Sequence, residues 1–159
     1  MTDLTVVEPW VAMPLKRLKE DARLLSGVLL HPSGRAIGQF GFSKPADVMS
    51  ICALTSAINA SARELGRQLY GKPFYEMHHA GGDRQVFMAR CLAGGQEFLF
   101  VGVFDRESSL GMVEIYFAEF QKALEKLSPP PTETAKPLAA GDFEGELNRS
   151  LDSLFGPIG

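Results

Sequence analysis

Two adjacent histidines, two cysteines, two glycine pairs and one Asp-Arg-Glu-Ser run are the residues whose types could do chemistry. His78 and His79 offer imidazole nitrogens to a divalent metal. Neighbours on a strand point to opposite faces, however, and cannot chelate one ion together, and no Cys or carboxylate at ligand spacing joins them. Cys52 and Cys91 fall in expected helix and strand, where a thiol serves as a small buried hydrophobe rather than a disulfide partner or nucleophile. The pairs Gly81-Gly82 and Gly94-Gly95 lack the following Lys and Ser/Thr of a phosphate loop and join strand to strand, so they read as hairpin turns. Asp105-Arg106-Glu107-Ser108 carries nucleophile and carboxylate types, but between a strand and a helix it reads as capping. His31 beside a turn reads as a solvated surface residue, and no serine stands in a nucleophile-elbow pattern. The expectation is a protein with no catalytic residue, no metal site and no cofactor of its own.

Bulk composition points the same way. At 159 residues with 45% hydrophobic content the chain suffices for one domain and a tail. Sixteen basic against 19 acidic residues, a net charge of -3, give no footprint for a phosphate backbone or an anionic membrane, so nucleic acid is an unexpected partner. No apolar run approaches the roughly 20 residues that cross a bilayer, and Met1-Thr2-Asp3-Leu4 lacks the basic and apolar regions of a signal peptide, so no membrane insertion and a cytoplasmic location are expected.

The elements follow from periodicity and turn chemistry. Over 8–22, Val11, Leu15, Leu18 and Ala22 recur at helical spacing, with Pro14 best placed in the first turn. Runs at 25–30 and 36–40 flank His31-Pro32-Ser33-Gly34-Arg35 and predict a hairpin. Over 45–70, Ile51, Thr55, Ile58, Ala62, Leu65 and Leu69 predict a long helix whose core stripe they form, ended by Gly71. Its neighbouring face carries Ala53, Ser56, Ala57 and Ala60, small residues suited to close approach by something outside the protomer, with Arg63, Glu64 and Arg67 on or beside the outer face. Those charges suit either docking or plain solvation. Strands at 74–79, 85–92 and 97–104, joined by short glycine turns, form an antiparallel meander. The last is apolar on both faces, so the sheet must be covered on both sides, giving three layers. A final core helix at 109–127, with Ser108 as its N-cap, carries Leu110, Val113, Phe117, Phe120, Leu124 and Leu127 on one stripe.

The composition changes at Ser128-Pro129-Pro130-Pro131, dividing a domain at 1–128 from a Pro-rich linker at 129–141 and an amphipathic segment at 142–159. There Phe143, Leu147, Leu151, Leu154 and Phe155 form one stripe, on a helix too short to stand alone in water, which needs a groove on its own domain or on a partner.

The order helix, strand, strand, long helix, three strands, helix resembles the Roadblock family. Particular residues carry the likeness over roughly 14–127: Gly27-Val28-Leu29-Leu30-His31-Pro32-Ser33-Gly34, Phe74-Tyr75-Glu76-Met77-His78-His79-Ala80-Gly81, and Phe98 through Asp105 followed by Ser109-Leu110-Gly111-Met112-Val113. Asn59 and Ala60 in the long helix, and Leu151-Asp152-Ser153-Leu154-Phe155 after a Pro-rich linker, resemble a bacterial branch that regulates a small Ras-like GTPase. The resemblance implies an α/β (α+β) fold, α-β-β-α-β-β-β-α, with a five-stranded antiparallel sheet and helices on both faces. It also implies a homodimer with the long helices side by side and the sheets edge to edge. A Ras-like GTPase would dock on the paired helices through Ala53, Ser56, Ala57, Asn59, Ala60, Arg63, Glu64 and Arg67, and the C-terminal stripe would add a second contact. Activators of this branch insert no arginine finger; they position the GTPase's own catalytic residues. Two functions from different classes remain open at this point: a GTPase-activating regulator, or a scaffold that binds without changing the hydrolysis rate.

Overall fold

The apolar runs become five strands of one antiparallel sheet: β1 (Ser26–Leu30), β2 (Ala36–Phe40), β3 (Glu76–Ala80), β4 (Gln85–Ala93) and β5 (Gln96–Phe104), in the order β2-β1-β5-β4-β3. The computed structural model describes residues 7–130. Strand β5 pairs with both β1 and β4, and this central place explains its double-sided apolarity. Phe98, Phe100 and Phe104 join one core cluster and Leu99 and Val101 the other. A 3-10 turn, Pro9–Val11, leads into α1 (Ala12–Asp21), which packs with α3 (Leu110–Glu125) over the first face, while α2 (Pro45–Tyr70) lies on the second. This is the three-layer α+β arrangement expected from the sequence.

Aromatic rings fill the layer under α1 and α3. Phe100 lies with ring centroids 5.8 Å from Phe117 and 6.0 Å from Phe120. Room for these rings comes from Gly27 and Gly102, paired across β1 and β5. A Cβ on Gly27 would stand 2.6 Å from the Phe40 ring, and one on Gly102 would stand 2.8 Å from Phe100. Neither distance is tolerable, so these two strand positions admit only glycine while the rings stay in place.

Helix α2 begins at Pro45 and ends at Gly71 as expected, but its buried side differs from the expected stripe. The buried residues are Val48, Cys52, Thr55, Ala62 and Gly66. Of the expected core positions, Thr55 and Ala62 are buried and Ile51 is half-buried, whereas Ile58, Leu65 and Leu69 are 42%, 52% and 63% exposed. The helix is turned so that small residues meet the sheet and the large ones stand on its flank. Small side chains let the axis approach the strands closely, and period alone cannot say which flank of an apolar surface faces inward.

Smaller corrections have local causes. Ser109, not Ser108, caps α3: its Oγ accepts the Met112 N–H at 3.2 Å. The Ser108 hydroxyl instead donates to the Ala22 carbonyl at 2.6 Å and ties the end of α1 to the α3 entrance. Asp105 acts within the loop, its Oδ1 accepting the Glu107 N–H at 2.9 Å. Phe74 and Tyr75 precede β3 rather than opening it; the Tyr75 carbonyl accepts the Arg90 N–H, and its ring lies 3.6 Å from the Arg90 guanidinium carbon. His31 is half-buried rather than simply solvated. Its Nδ1 lies 2.8 Å from Ser33 Oγ and its ring meets Phe98 edge-on.

Two outcomes follow for stability. Phe100→Ala removes the ring that two others rest on and should cost about 3–5 kcal/mol in denaturant unfolding. Burial first, then the Arg35 charge, lowers the His31 pKa from its ordinary 6.5. Above that value His31 is neutral in both states and pH changes nothing through it. As pH falls below about 6.5 the unfolded chain takes up the proton more readily, so stability declines. Thermal melts between pH 7.5 and 5 should show a smaller acid loss for His31→Gln than for the parent; equal losses would refute this assignment.

Candidate partner interface

The outward surface of α2 divides into two strips. The residues expected to contact a partner do not all share one of them. Ala53, Ala57, Ala60, Glu64 and Arg67 are exposed, whereas Ser56, Asn59 and Arg63 are half-buried. Arg63 is engaged within the domain: its Nη1 lies 3.0 Å and 3.3 Å from the two Glu97 oxygens. Arg90 stands 4.0 Å from the same carboxylate. This cluster fastens the second half of α2 to β5 and β4. Among the described residues Arg67 pairs with Glu64, one turn back at 3.5 Å, and both remain well exposed.

The other strip is apolar. Leu54 is 62% exposed, and with Ile58, Leu65 and Leu69 it continues along the flank turned towards β3. Between that flank and β3 runs a groove of about 540 Å³, lined by Ala57, Ile58, Ser61, Leu65, Phe74 and Met77 among others. All five residues of β3 are exposed. Sequence periodicity missed this groove because it assigned Ile58, Leu65 and Leu69 to the core. Met77 and the open edge of β3 carried no separate signal, since exposure of a short strand is not encoded in its alternation.

Backbone hydrogen bonding distinguishes β3 from the other edges. Strand β4 outruns β3 at its far end, and there the Gln121 side chain takes the place of a strand: its Oε1 accepts the Leu92 N–H at 2.9 Å and its Nε2 donates to the Leu92 carbonyl at 3.0 Å. The outer side of β2 is met by residues 7 and 8, Val7 bridging to Gly38 and the Glu8 N–H donating to the Ile37 carbonyl at 3.0 Å. Among the described residues, the outer edge of β3 has no such cover.

Chemistry-bearing side chains do not converge. His78 and His79 diverge as expected: the His78 ring stacks on Phe104 with Nε2 2.7 Å from Gln85 Oε1, while His79 stands opposite Val86. Both cysteines are buried and unbridged, and burial pushes both thiols up, away from the nucleophilic thiolate. Glu76 on β3 has its carboxyl pKa raised by burial first and then by the charge of Glu114 on α3. Among the described residues no group of three His, Cys, Asp or Glu could hold a metal, and no helix is long and apolar enough to cross a membrane. Phe143, Leu147, Leu151, Leu154 and Phe155 lie outside the described residues, as does most of the linker.

No family model and no curated protein sequence matches the chain. Solved structures do. MglB of Myxococcus xanthus superposes with a TM-score of 0.59 at 27% identity, over 68% of this chain and 85% of that one. The gliding protein MglB of Thermus thermophilus gives 0.63 at 21% identity, over 77% and 94%. A Roadblock/LC7 domain from Streptomyces avermitilis gives 0.54 at 22% identity, over 63% and 81%. The five-stranded antiparallel sheet with three helices is an α+β fold that matches these neighbours. The chain has the fold of these Roadblock/LC7 domain structures and is similar in structure to MglB.

Proposed function

We propose that this chain is a homodimeric, cytoplasmic regulator of a small Ras-like GTPase of the MglA type, acting as a GTPase activator without an active site of its own. The observation that carries the reading is the strand edge left uncovered among the described residues, β3, lying beside an uncovered apolar flank of α2. A second copy laid edge to edge satisfies both at once: β3 gains a strand partner, and Leu54, Ile58, Leu65 and Leu69 gain a helix to pack against. That leaves the other strip of α2, with Ala53, Ala60, Glu64 and Arg67, facing outward on a paired-helix platform where small residues permit close approach and charges set register. The GTPase docks there, and its own catalytic groups are pressed into place. Arg63 acts from behind, holding α2 through Glu97, and the stripe from Phe143 to Phe155 on segment 142–159, reached through the linker 129–141, supplies a second contact. The likeness to MglB, one example of which is described as a gliding protein, favours a role in gliding motility or cell polarity.

Single-turnover GTP hydrolysis by an MglA-type GTPase, with and without excess chain, tests the reading. Acceleration of tenfold or more, about 1.4 kcal/mol off the barrier, is the expected result. Binding with an unchanged rate would leave a scaffold instead. Leu65→Glu should halve the sedimenting mass and abolish acceleration, whereas Arg67→Ala should weaken GTPase binding several-fold and leave the mass unchanged. If Leu65→Glu leaves both mass and rate intact, the assignment of that flank to the second copy is wrong.

A further inference from the structure

Sheet edges that must not pair at random are blunted by charged side chains, most often lysine, whose charge persists at every pH near neutrality. The β3 edge, bare among the described residues, carries carboxylates instead. Glu76 opens the strand and stands opposite Ala89 of β4, on the side of the sheet covered by α1 and α3. Glu114, on the second turn of α3, stands near it, and the two carboxyl groups are within hydrogen-bonding reach of each other. A hydrogen bond between two carboxyl groups requires a proton on one of them. Burial is the first cause that holds the Glu76 carboxyl above its ordinary 4.5, the Glu114 charge the second and that hydrogen bond the third.

The elements around Glu76 are otherwise short of charge. On its own face β4 offers Ala89, between Phe87 and the buried Cys91 thiol. Across the groove α2 offers Ala57, Ile58, Ser61 and Leu65, none of them ionisable. The neighbouring titratable group on the same face of β3 is His78, held against Phe104 and 2.7 Å from Gln85 Oε1. The Arg90 guanidinium belongs to the α2 side of the sheet, where it lies over the Tyr75 ring and beside Glu97. The charge that Glu76 feels most is therefore that of another carboxylate.

A two-fold axis normal to the sheet, the one that sets two copies of α2 side by side, keeps every side chain on its own face. Across the seam of the dimer proposed above, the α3-side residues of β3, Glu76, His78 and Ala80, therefore meet the same three residues of the second copy. In each such register the second strand takes the place of water beside Glu76 and brings another acidic pair to the same face. Both changes act against the charged form. We propose that the Glu76–Glu114 pair is a proton-operated latch on the β3 edge: fully ionised it opposes pairing with a second copy, and sharing a proton it admits the second strand. The inference rests on the dimer reading and adds its regulation. Because the charged form is disfavoured more in the dimer than in the free protomer, the dimer binds more protons, and association strengthens as pH falls towards the raised Glu76 value.

Sedimentation equilibrium of the full chain at pH 7.5 and 5.5, at one ionic strength, reads the latch as the dimer Kd. The parent's Kd should fall about tenfold or more over that interval, since each proton taken up on association is worth about tenfold per pH unit where the group titrates. Glu76→Gln, neutral at both pH values, should associate at pH 7.5 about as tightly as the parent does at 5.5, with little further change. Glu114→Gln should shrink the dependence without removing it, because burial acts on Glu76 as well, and His78→Gln should leave it in place. A parent Kd that does not move with pH overturns the proposal while the dimer reading stands. So does a dependence that survives Glu76→Gln in a chain whose circular dichroism matches the parent, or one that His78→Gln abolishes. A chain that stays monomeric at both pH values and at every concentration overturns the dimer reading and the latch together.

Discussion

One helix has to cover a five-stranded face. On the other side two helices, α1 and α3, share the work and bury an aromatic layer completely. Helix α2 reaches β1, β2 and β5 and leaves the α2-facing side of β3 largely to solvent. A helix about 10 Å across cannot span strands spaced about 4.8 Å apart over more than two or three of them. The groove beside β3 is a consequence of that arithmetic, and so are the exposed Leu54, Ile58, Leu65 and Leu69. Apolar side chains that a monomer cannot cover are the ordinary mark of an interface.

Edge protection shows the same selectivity. Exposed backbone is met by a segment paired on β2, by a glutamine carboxamide imitating a peptide unit on β4, and by nothing among the described residues on β3. Each uncovered N–H or C=O in contact with water costs little, so an open edge is tolerable for stability; what it carries is the risk of pairing. A fold that covers the unpaired stretch of β4 with Gln121 and β2 with residues 7 and 8, while leaving the β3 edge bare among the described residues, concentrates that risk where apolar surface is also bare. Partial desolvation first, and then the nearby charge of Glu114, raises the cost of keeping Glu76 ionised beside this edge.

Much of this was legible in the residues. The strand order of the meander, the double-sided β5, the ends of α2 and the core stripe of α3 followed from period, turn chemistry and proline placement, because each depends on neighbours a few positions away. What period could not reveal was the azimuth of α2. The expected stripe of Ile51, Thr55, Ile58, Ala62, Leu65 and Leu69 is as regular as the buried set Val48, Cys52, Thr55, Ala62 and Gly66 and shares two residues with it, and its larger side chains made the wrong flank look like the core. The choice is made by distance to the sheet, a tertiary quantity. The Ser108 and Ser109 roles exchanged for a similar reason: either hydroxyl suits an N-cap, and the carbonyl of Ala22, remote in sequence, claimed the first. Arg63 likewise looked free until Glu97, 34 positions away, took its guanidinium.

The azimuth that period could not supply is also what gives α2 its two outward strips. Had the large stripe faced the sheet, Ile58 and Leu65 would be core, the helix would stand further from the strands, and the small residues would be its only outward feature. With the small stripe inward, Arg63 comes within reach of Glu97 and the helix is pinned at its second half by a pair that is three-quarters shielded from water. Pinning matters because surfaces on one helix keep a fixed relation only if that helix cannot roll. In the proposed assembly a partner on the Ala53, Ala60 and Arg67 strip would then meet a second copy at a set angle, and rotation of α2 by even one residue, roughly 100°, would move both strips off the faces they now occupy. The Glu97 carboxylate between Arg63 and Arg90 is the contact that holds that placement of surfaces.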